Sequence, residues 1–279
     1  KKYETTISQA YEEWAPKYFA DKKLSEGRKK AWKDALRACT PIHNKKLREL
    51  KTLDLDIAIQ NASRSAIIRI DVRSLLINLY DWALKYEIVE KNYAKMTDVV
   101  SRPDASINRI VFSDNEVQHL WKMLDMECVD MVLVGLYTGL RPGEICSLQS
   151  SNIHLKEHYM IGGSKTEAGK DRIIPIHDKI YNLIAQRTNA GKLFKIGEDD
   201  VTYNMYAHRF RAIIADMKTK HTPHDTRHTF VTKAKQAGLD EYCLKLIVGH
   251  AIQDLTENVY THRTPAELLR EVNKINYDI

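Results

Sequence analysis

The chain has only four cysteines, Cys39, Cys128, Cys146 and Cys243, and no two of them form a CxxC pair. Such spacing argues against a disulfide framework and against a zinc knuckle, and leaves the four as reduced core thiols. Long apolar runs are missing too: Met131-Val132-Leu133-Val134 is cut off within a few positions, far short of the roughly 18 residues of a membrane-spanning helix, so no membrane partner is expected. Eleven glycines and seven prolines are too few for a collagenous or low-complexity chain. The first ten residues contain neither an apolar h-region nor an initiator Met, from which we expect no signal peptide, an intracellular location and a sequence that begins inside a longer gene product. What is present is a globular composition, 279 residues with 43% hydrophobic and 29% charged side chains. That can bury one sizeable core or two modest ones and excludes disorder as the main state.

Charge is unevenly spread. Residues 1–100 hold 20 Lys+Arg against 14 Asp+Glu, whereas residues 101–279 hold 23 of each, so the net +6 sits in the first hundred. Between Lys17 and Lys51 there are twelve basic and four acidic residues, including Arg28, Lys29, Lys30, Lys45, Lys46 and Arg48. They are enough to form a phosphate-facing surface, with a merely solvated helix face as the alternative, and charge of this size does not by itself identify nucleic acid as the partner.

Apolar positions in this basic part recur at helical spacing, as in Ile7, Ala10, Tyr11, Trp14 and Tyr18, then Leu75, Leu76, Leu79, Trp82 and Ala83. With Pro41 and the segment 61–65 as interruptions, four helices are expected near 5–20, 25–38, 45–59 and 65–85. The pattern fades into the polar, proline-containing stretch around Val100 to Asp104, giving a helical domain over 1–100, a linker over 101–110 and a second domain over 111–279. In the second, Ser113 and Glu116 have capping-box spacing and open a helix through Leu124, and another helix follows from Val129 to Tyr137. Tyr159-Met160-Ile161 and Ile173-Ile174-Pro175-Ile176 read as a hairpin or small sheet. From Asn204 onward the chain reads helical again, with Thr222-Pro223 and Thr264-Pro265 each supplying a cap and a first-turn proline.

Four segments carry residues with chemistry, each open to a plainer reading. In Thr138-Gly139-Leu140-Arg141-Pro142-Gly143-Glu144, Gly139 ends one helix and Pro142 begins the next. Arg141 is then held at a helix start where free N–H groups favour an anion, with Glu144 one turn on to orient it; a structural Arg–Glu pair is the alternative. In Thr222-Pro223-His224-Asp225-Thr226-Arg227-His228, a helix capped by Thr222 puts His224 and Arg227 three apart on one face. Zinc through His224 and His228 is disfavoured, because no third ligand is placed nearby, and no metal or other cofactor is expected. Asp240 starts a helix that Gly249 ends, presenting His250, which could equally be a capping or core residue. Tyr260 follows ten residues later, where most tyrosines only pack.

In this order the four segments resemble the tyrosine recombinase family of phage and transposon integrases. The match runs from about Phe112 to Arg263, and the basic helical first domain is similar to the family's core-binding domain by position, charge and pattern. The fold implied is mainly α, a helical core-binding domain followed by an α-helical catalytic domain with a small antiparallel β-sheet. Carried over residue by residue, Arg141, His224, Arg227 and His250 match the phosphate-binding positions and Tyr260 the nucleophile. Lys165 matches the β-hairpin lysine, with Lys170 across the same turn as its rival. For the further amino-terminal domain with which many relatives bind distant arm sites we expect no room in this chain, either because the gene lacks it or because this sequence starts after it.

The resemblance implies a site-specific recombinase, an integrase of a phage or mobile element in the cytoplasm of a bacterial host, that clamps double-stranded DNA between its halves. It implies a homo-oligomer on DNA, a tetramer, working through a Holliday junction, with accessory DNA-bending proteins as further partners. Its chemistry suits these residue types. Arginine forks offset the charge that builds on a five-coordinate phosphorus, and a cationic surround favours the phenolate of Tyr260 while His224 takes or shares the proton. Lys165 then protonates the leaving 5′ oxygen and His250 donates to a nonbridging oxygen. The rivals are a type IB topoisomerase and a DNA-binding regulator without catalysis. The last residues, Thr264 to Ile279, form a capped amphipathic helix whose stripe of Leu268, Leu269, Val272 and Ile275 docks either on a neighbouring protomer or on its own domain.

Overall fold

The computed structural model describes residues 2–102, 110–163, 169–188, 191–250 and 263–277. The chain divides into two compact units, Lys1–Ile107 and Asn108–Ile279.

The first unit holds α1 (Ile7–Asp21), α2 (Glu26–Ala38), α3 (Thr52–Asn61) and α4 (Ala66–Lys85). A reciprocal bond pair between Thr6 and Gln9 caps α1, and the Ser25 hydroxyl accepts from the Arg28 amide at the start of α2. Ile7, Trp14, Leu55, Ile59, Leu75, Leu79 and Tyr80 meet in its core, where Trp32 sets its edge against Trp14 at 5.8 Å. The third helix begins at Thr52, seven residues later than the periodicity suggests. Residues 45–47 are engaged with the chain entering α1: the Leu47 amide donates to Thr5 and the Ile7 amide to Lys45. Leu47 and Leu50 are buried from this irregular segment rather than from a helix face.

The second unit is mainly α with small antiparallel sheets, as the resemblance implies. Its helices are α5 (Asp114–Lys122), α6 (Val129–Thr138), α7 (Pro142–Ser147), α8 (Tyr181–Ala185), α9 (Tyr203–Asp216), α10 (Asp225–Gln236), α11 (Glu241–Val248) and α12 (Pro265–Val272). The strands β1 (Ile153–His154), β2 (Tyr159–Gly162) and β3 (Arg172–Pro175) form one sheet in that order, with Met160 opposite Ile174. A two-stranded ribbon, β4 (Lys195–Ile196) with β5 (Asp199–Asp200), has no alternating signal in the sequence.

Buried along its whole length, α6 is the centre of this unit. It lies against α10 closely enough that a Cβ on Gly135 would come 2.8 Å from the Thr226 hydroxyl. Ser113 and Glu116 cap α5 reciprocally, as their spacing predicts. Thr222, by contrast, is not the cap of α10. The Asp225 carboxylate takes both the Thr222 amide, at 2.6 Å, and its hydroxyl, at 3.0 Å, so Thr222 and Pro223 form a turn and the helix begins at Asp225 with His224 as its cap. The carboxy-terminal stripe docks on its own unit: Leu268, Val272, Ile275 and Tyr277 are buried in the common core, and the Tyr277 hydroxyl donates to the Leu136 carbonyl. Among the described residues no helix is long and apolar enough to cross a membrane.

Candidate active site

Two left-handed glycines shape the site. Gly139 ends α6 at φ 65°, a conformation that side chains with a Cβ rarely adopt, and a Cβ there would sit 2.4 Å from the Phe230 ring. The chain therefore turns sharply and delivers Arg141 as the cap of α7, with Pro142 in its first turn. Gly249 ends α11 at φ 68° and hands the chain on to His250, which is exposed and whose amide donates back to Lys245.

Glu144, 3% exposed, is the carboxylate between them. One oxygen accepts from the Arg141 amide and the other from Arg141 Nη1, each at 2.9 Å. Arg172 grips the same carboxylate from β3, with Nη2 at 2.9 Å from Oε2 and Nη1 at 3.3 Å from Oε1. Burial works to raise the Glu144 pKa, but Arg172 and then Arg141 reverse this and hold it below the usual value.

Arg227 is buried in the first turns of α10, where Nη1 donates to the Gly139 carbonyl at 2.8 Å and Nη2 to the Val248 carbonyl at 2.7 Å. Burial, then repulsion from Arg141 and Arg172, lowers its pKa to about 10. His250, exposed but partly desolvated by its neighbours, is also pushed below its ordinary value, first by that desolvation and then by Arg227, Arg141 and Arg172. The fold thus gathers Arg141, Arg172 and Arg227 around one buried acid, with His250 beside the arginines, although up to about a hundred residues separate them. Such a cluster offers charge-assisted donors to an anion.

His224 lies at the start of α10 and is exposed. Lys165 and Tyr260 lie outside the described residues; Lys170 is exposed beside Gly169. Among the described residues no group of three His, Cys, Asp or Glu side chains is arranged to hold a metal ion. Five of the six basic candidates of the first unit are engaged in surface ion pairs. Arg28 meets Asp71 at 2.9 Å, Lys29 meets Glu26, Lys30 meets Asp34, and Lys46 and Arg48 share Glu4. Lys45 is exposed. Exposed pairs of this kind hold their partners weakly, leaving the cations exchangeable. Sequence reading missed Arg172, whose only local signal is a cation opening a β-branched run.

Residues 108–267 match the family described as "Phage integrase family". Tyrosine recombinase XerD of Vibrio vulnificus (strain YJ016) is 29% identical over 151 residues, 49% of this chain and 48% of that protein. The chain therefore spans about half the length of that curated relative. The Tn1549 transposon integrase bound to circular intermediate DNA superposes with a TM-score of 0.69 at 19% identity, over 96% of this chain and 99% of that one. A lambda integrase tetramer bound to a Holliday junction gives a TM-score of 0.74 at 13% identity, over 91% of this chain and 80% of that one. At those identities the likeness establishes the fold.

Proposed function

This chain belongs to the phage integrase family of tyrosine recombinases, and from that premise we propose that it is a site-specific DNA recombinase of a phage or mobile element, cutting and rejoining strands through a 3′-phosphotyrosyl intermediate and a Holliday junction. The observation that carries this reading is the cluster of Arg141 and Arg227 about buried Glu144, with His250 beside the two arginines.

Glu144 occupies one edge of the Arg141 guanidinium and leaves the rest to receive a nonbridging phosphate oxygen. Arg227 has two of its Nη hydrogens on carbonyls and retains further N–H groups toward the same anion. His250, whose pKa is lowered by desolvation and by the neighbouring arginines, donates from a ring N–H to a nonbridging oxygen. Tyr260 is the nucleophile, His224 assists its deprotonation, and Lys165 protonates the 5′ oxygen as it leaves. The phosphoester bond passes from DNA to tyrosine and back, so the free 5′ hydroxyl can reverse the step or attack a partner strand.

Residues 1–100 serve as the core-binding domain, with Lys45 contacting DNA phosphates directly and Arg28, Lys29, Lys30, Lys46 and Arg48 exchanging their carboxylate partners for them. Residues 101–110 link it to the catalytic domain, 111–279. The working assembly is a tetramer on double-stranded DNA in the cytoplasm of a bacterial host, aided by DNA-bending proteins; the tetrameric lambda integrase on its junction supports that assembly. A duplex nicked close to the cleavage point tests the reading, because the short leaving strand diffuses away and traps the adduct. A covalent protein–DNA band together with strand exchange between paired sites is expected. Relaxation of supercoiled DNA without paired sites, or no adduct on any selected duplex, would contradict it.

A further inference from the structure

Arg172 is 8% exposed and its guanidinium joins three separate parts of the catalytic unit. Besides its two bonds to Glu144, Nε donates to the Ile247 carbonyl at 2.8 Å and Nη1 to the Gly169 carbonyl at 2.7 Å. Its surroundings are cut back to admit it. A Cβ on Gly163 would lie 2.1 Å from Arg172 Nη1, and one on Gly249 would lie 3.1 Å from its Cδ and 2.7 Å from Gly169 Cα. Burying a guanidinium carries a desolvation cost that an apolar side chain at the head of β3 would avoid, so packing alone does not account for it. Its acceptors do. Glu144 is the carboxylate that holds Arg141, and Ile247 lies in the turn that leads through Gly249 to His250.

We propose that Arg172 is a positioning residue for DNA cleavage: it shares the charge of Glu144 so that Arg141 stays available to a phosphate oxygen, and it ties the turn before His250 to the same carboxylate. The inference rests on the recombinase reading above. Without Arg172, Glu144 keeps Arg141 as its guanidinium partner, and an undivided carboxylate pulls that guanidinium inward, away from DNA. Arg172 itself touches no substrate.

Single-turnover cleavage of the nicked duplex separates this from a scaffolding role, because the rate constant reads the geometry of folded molecules while the amplitude reads how many are folded. For Arg172→Gln the rate constant at saturating DNA should fall about 30-fold or more, with the half-saturating DNA concentration within about threefold of the unaltered chain. Arg172→Lys, which keeps a charge opposite Glu144 and guards against misfolding, should lose less, about three- to tenfold. Removing the undivided charge in the double variant Glu144→Gln/Arg172→Gln should restore the rate constant about tenfold relative to Arg172→Gln alone. A fall in amplitude with an unchanged rate constant, or a double variant no faster than Arg172→Gln, overturns the inference while leaving the recombinase reading intact. Failure of the unaltered chain to form any adduct overturns both.

Discussion

Arg227 Nη1 donates to the Gly139 carbonyl at 2.8 Å although 88 residues separate them, and Nη2 of the same guanidinium donates to the Val248 carbonyl at 2.7 Å. One planar fork therefore fixes both the turn that delivers Arg141 and the turn that delivers His250. An ammonium cannot span both carbonyls, and a buried acceptor left without its donor costs about 1–3 kcal/mol. Arg227→Lys should lose that much stability in urea unfolding and form the covalent adduct at least about a hundredfold more slowly. Unchanged stability would mean that the two carbonyls do not depend on the fork.

Gly139 and Gly143, four residues apart, should respond oppositely to alanine. At Gly139 a Cβ would meet the Phe230 ring at 2.4 Å on a backbone of positive φ, so strain and overpacking combine to cost about 2–4 kcal/mol. At Gly143, inside α7, nothing lies within 4 Å, and gaining a Cβ in a helix should stabilise by up to about 1 kcal/mol. Thermal unfolding of the two variants compares them directly.

The lowered pKa of His250 sets a pH dependence. Its folded value lies below the ordinary 6.5, so the folded chain binds this proton less readily than the unfolded chain. The group's contribution to stability is therefore complete above pH 6.5 and is lost as pH falls through the lowered folded value. An NMR titration of DNA-free protein should give a His250 midpoint below 6.5, moving upward in Arg141→Ala, where one of the repelling cations is gone. A midpoint at or above 6.5 would contradict the cluster's electrostatics.

Because the carboxy-terminal helix docks on its own unit, its residues act first on stability. Leu268 is buried in the core of the second unit, and Leu268→Ala should cost about 2–5 kcal/mol. Tyr277→Phe removes the hydroxyl donated to Leu136 and should cost about 1 kcal/mol. Deleting residues 266–279 should then weaken single-site DNA binding and cooperative assembly alike, as measured by gel shift. Selective loss of assembly would place the helix on a neighbouring protomer when DNA is bound.

Local signals carried much of this architecture. Gly139 and Gly249 were readable as helix ends, Pro142 as a helix start, Ser113 with Glu116 as a capping box and Thr264 as a helix cap, because each acts within a few residues of itself. Competition between neighbours was not readable: Asp225 captures Thr222, and the chain entering α1 captures Lys45 and Leu47. Arg172 escaped for a different reason. Two of its acceptors, the Gly169 and Ile247 carbonyls, are backbone atoms that any residue could supply, and its side-chain partner Glu144 lies 28 residues away, so no local pattern announces the contact.

The most direct test of the central claim is to trap the covalent adduct on a nicked duplex, digest the protein and locate the nucleotide-bearing peptide by mass spectrometry. The account predicts a 3′-phosphonucleotide on Tyr260 and none from Tyr260→Phe, which should still bind the duplex. A nucleotide on any other residue, or an adduct formed by Tyr260→Phe, would contradict it.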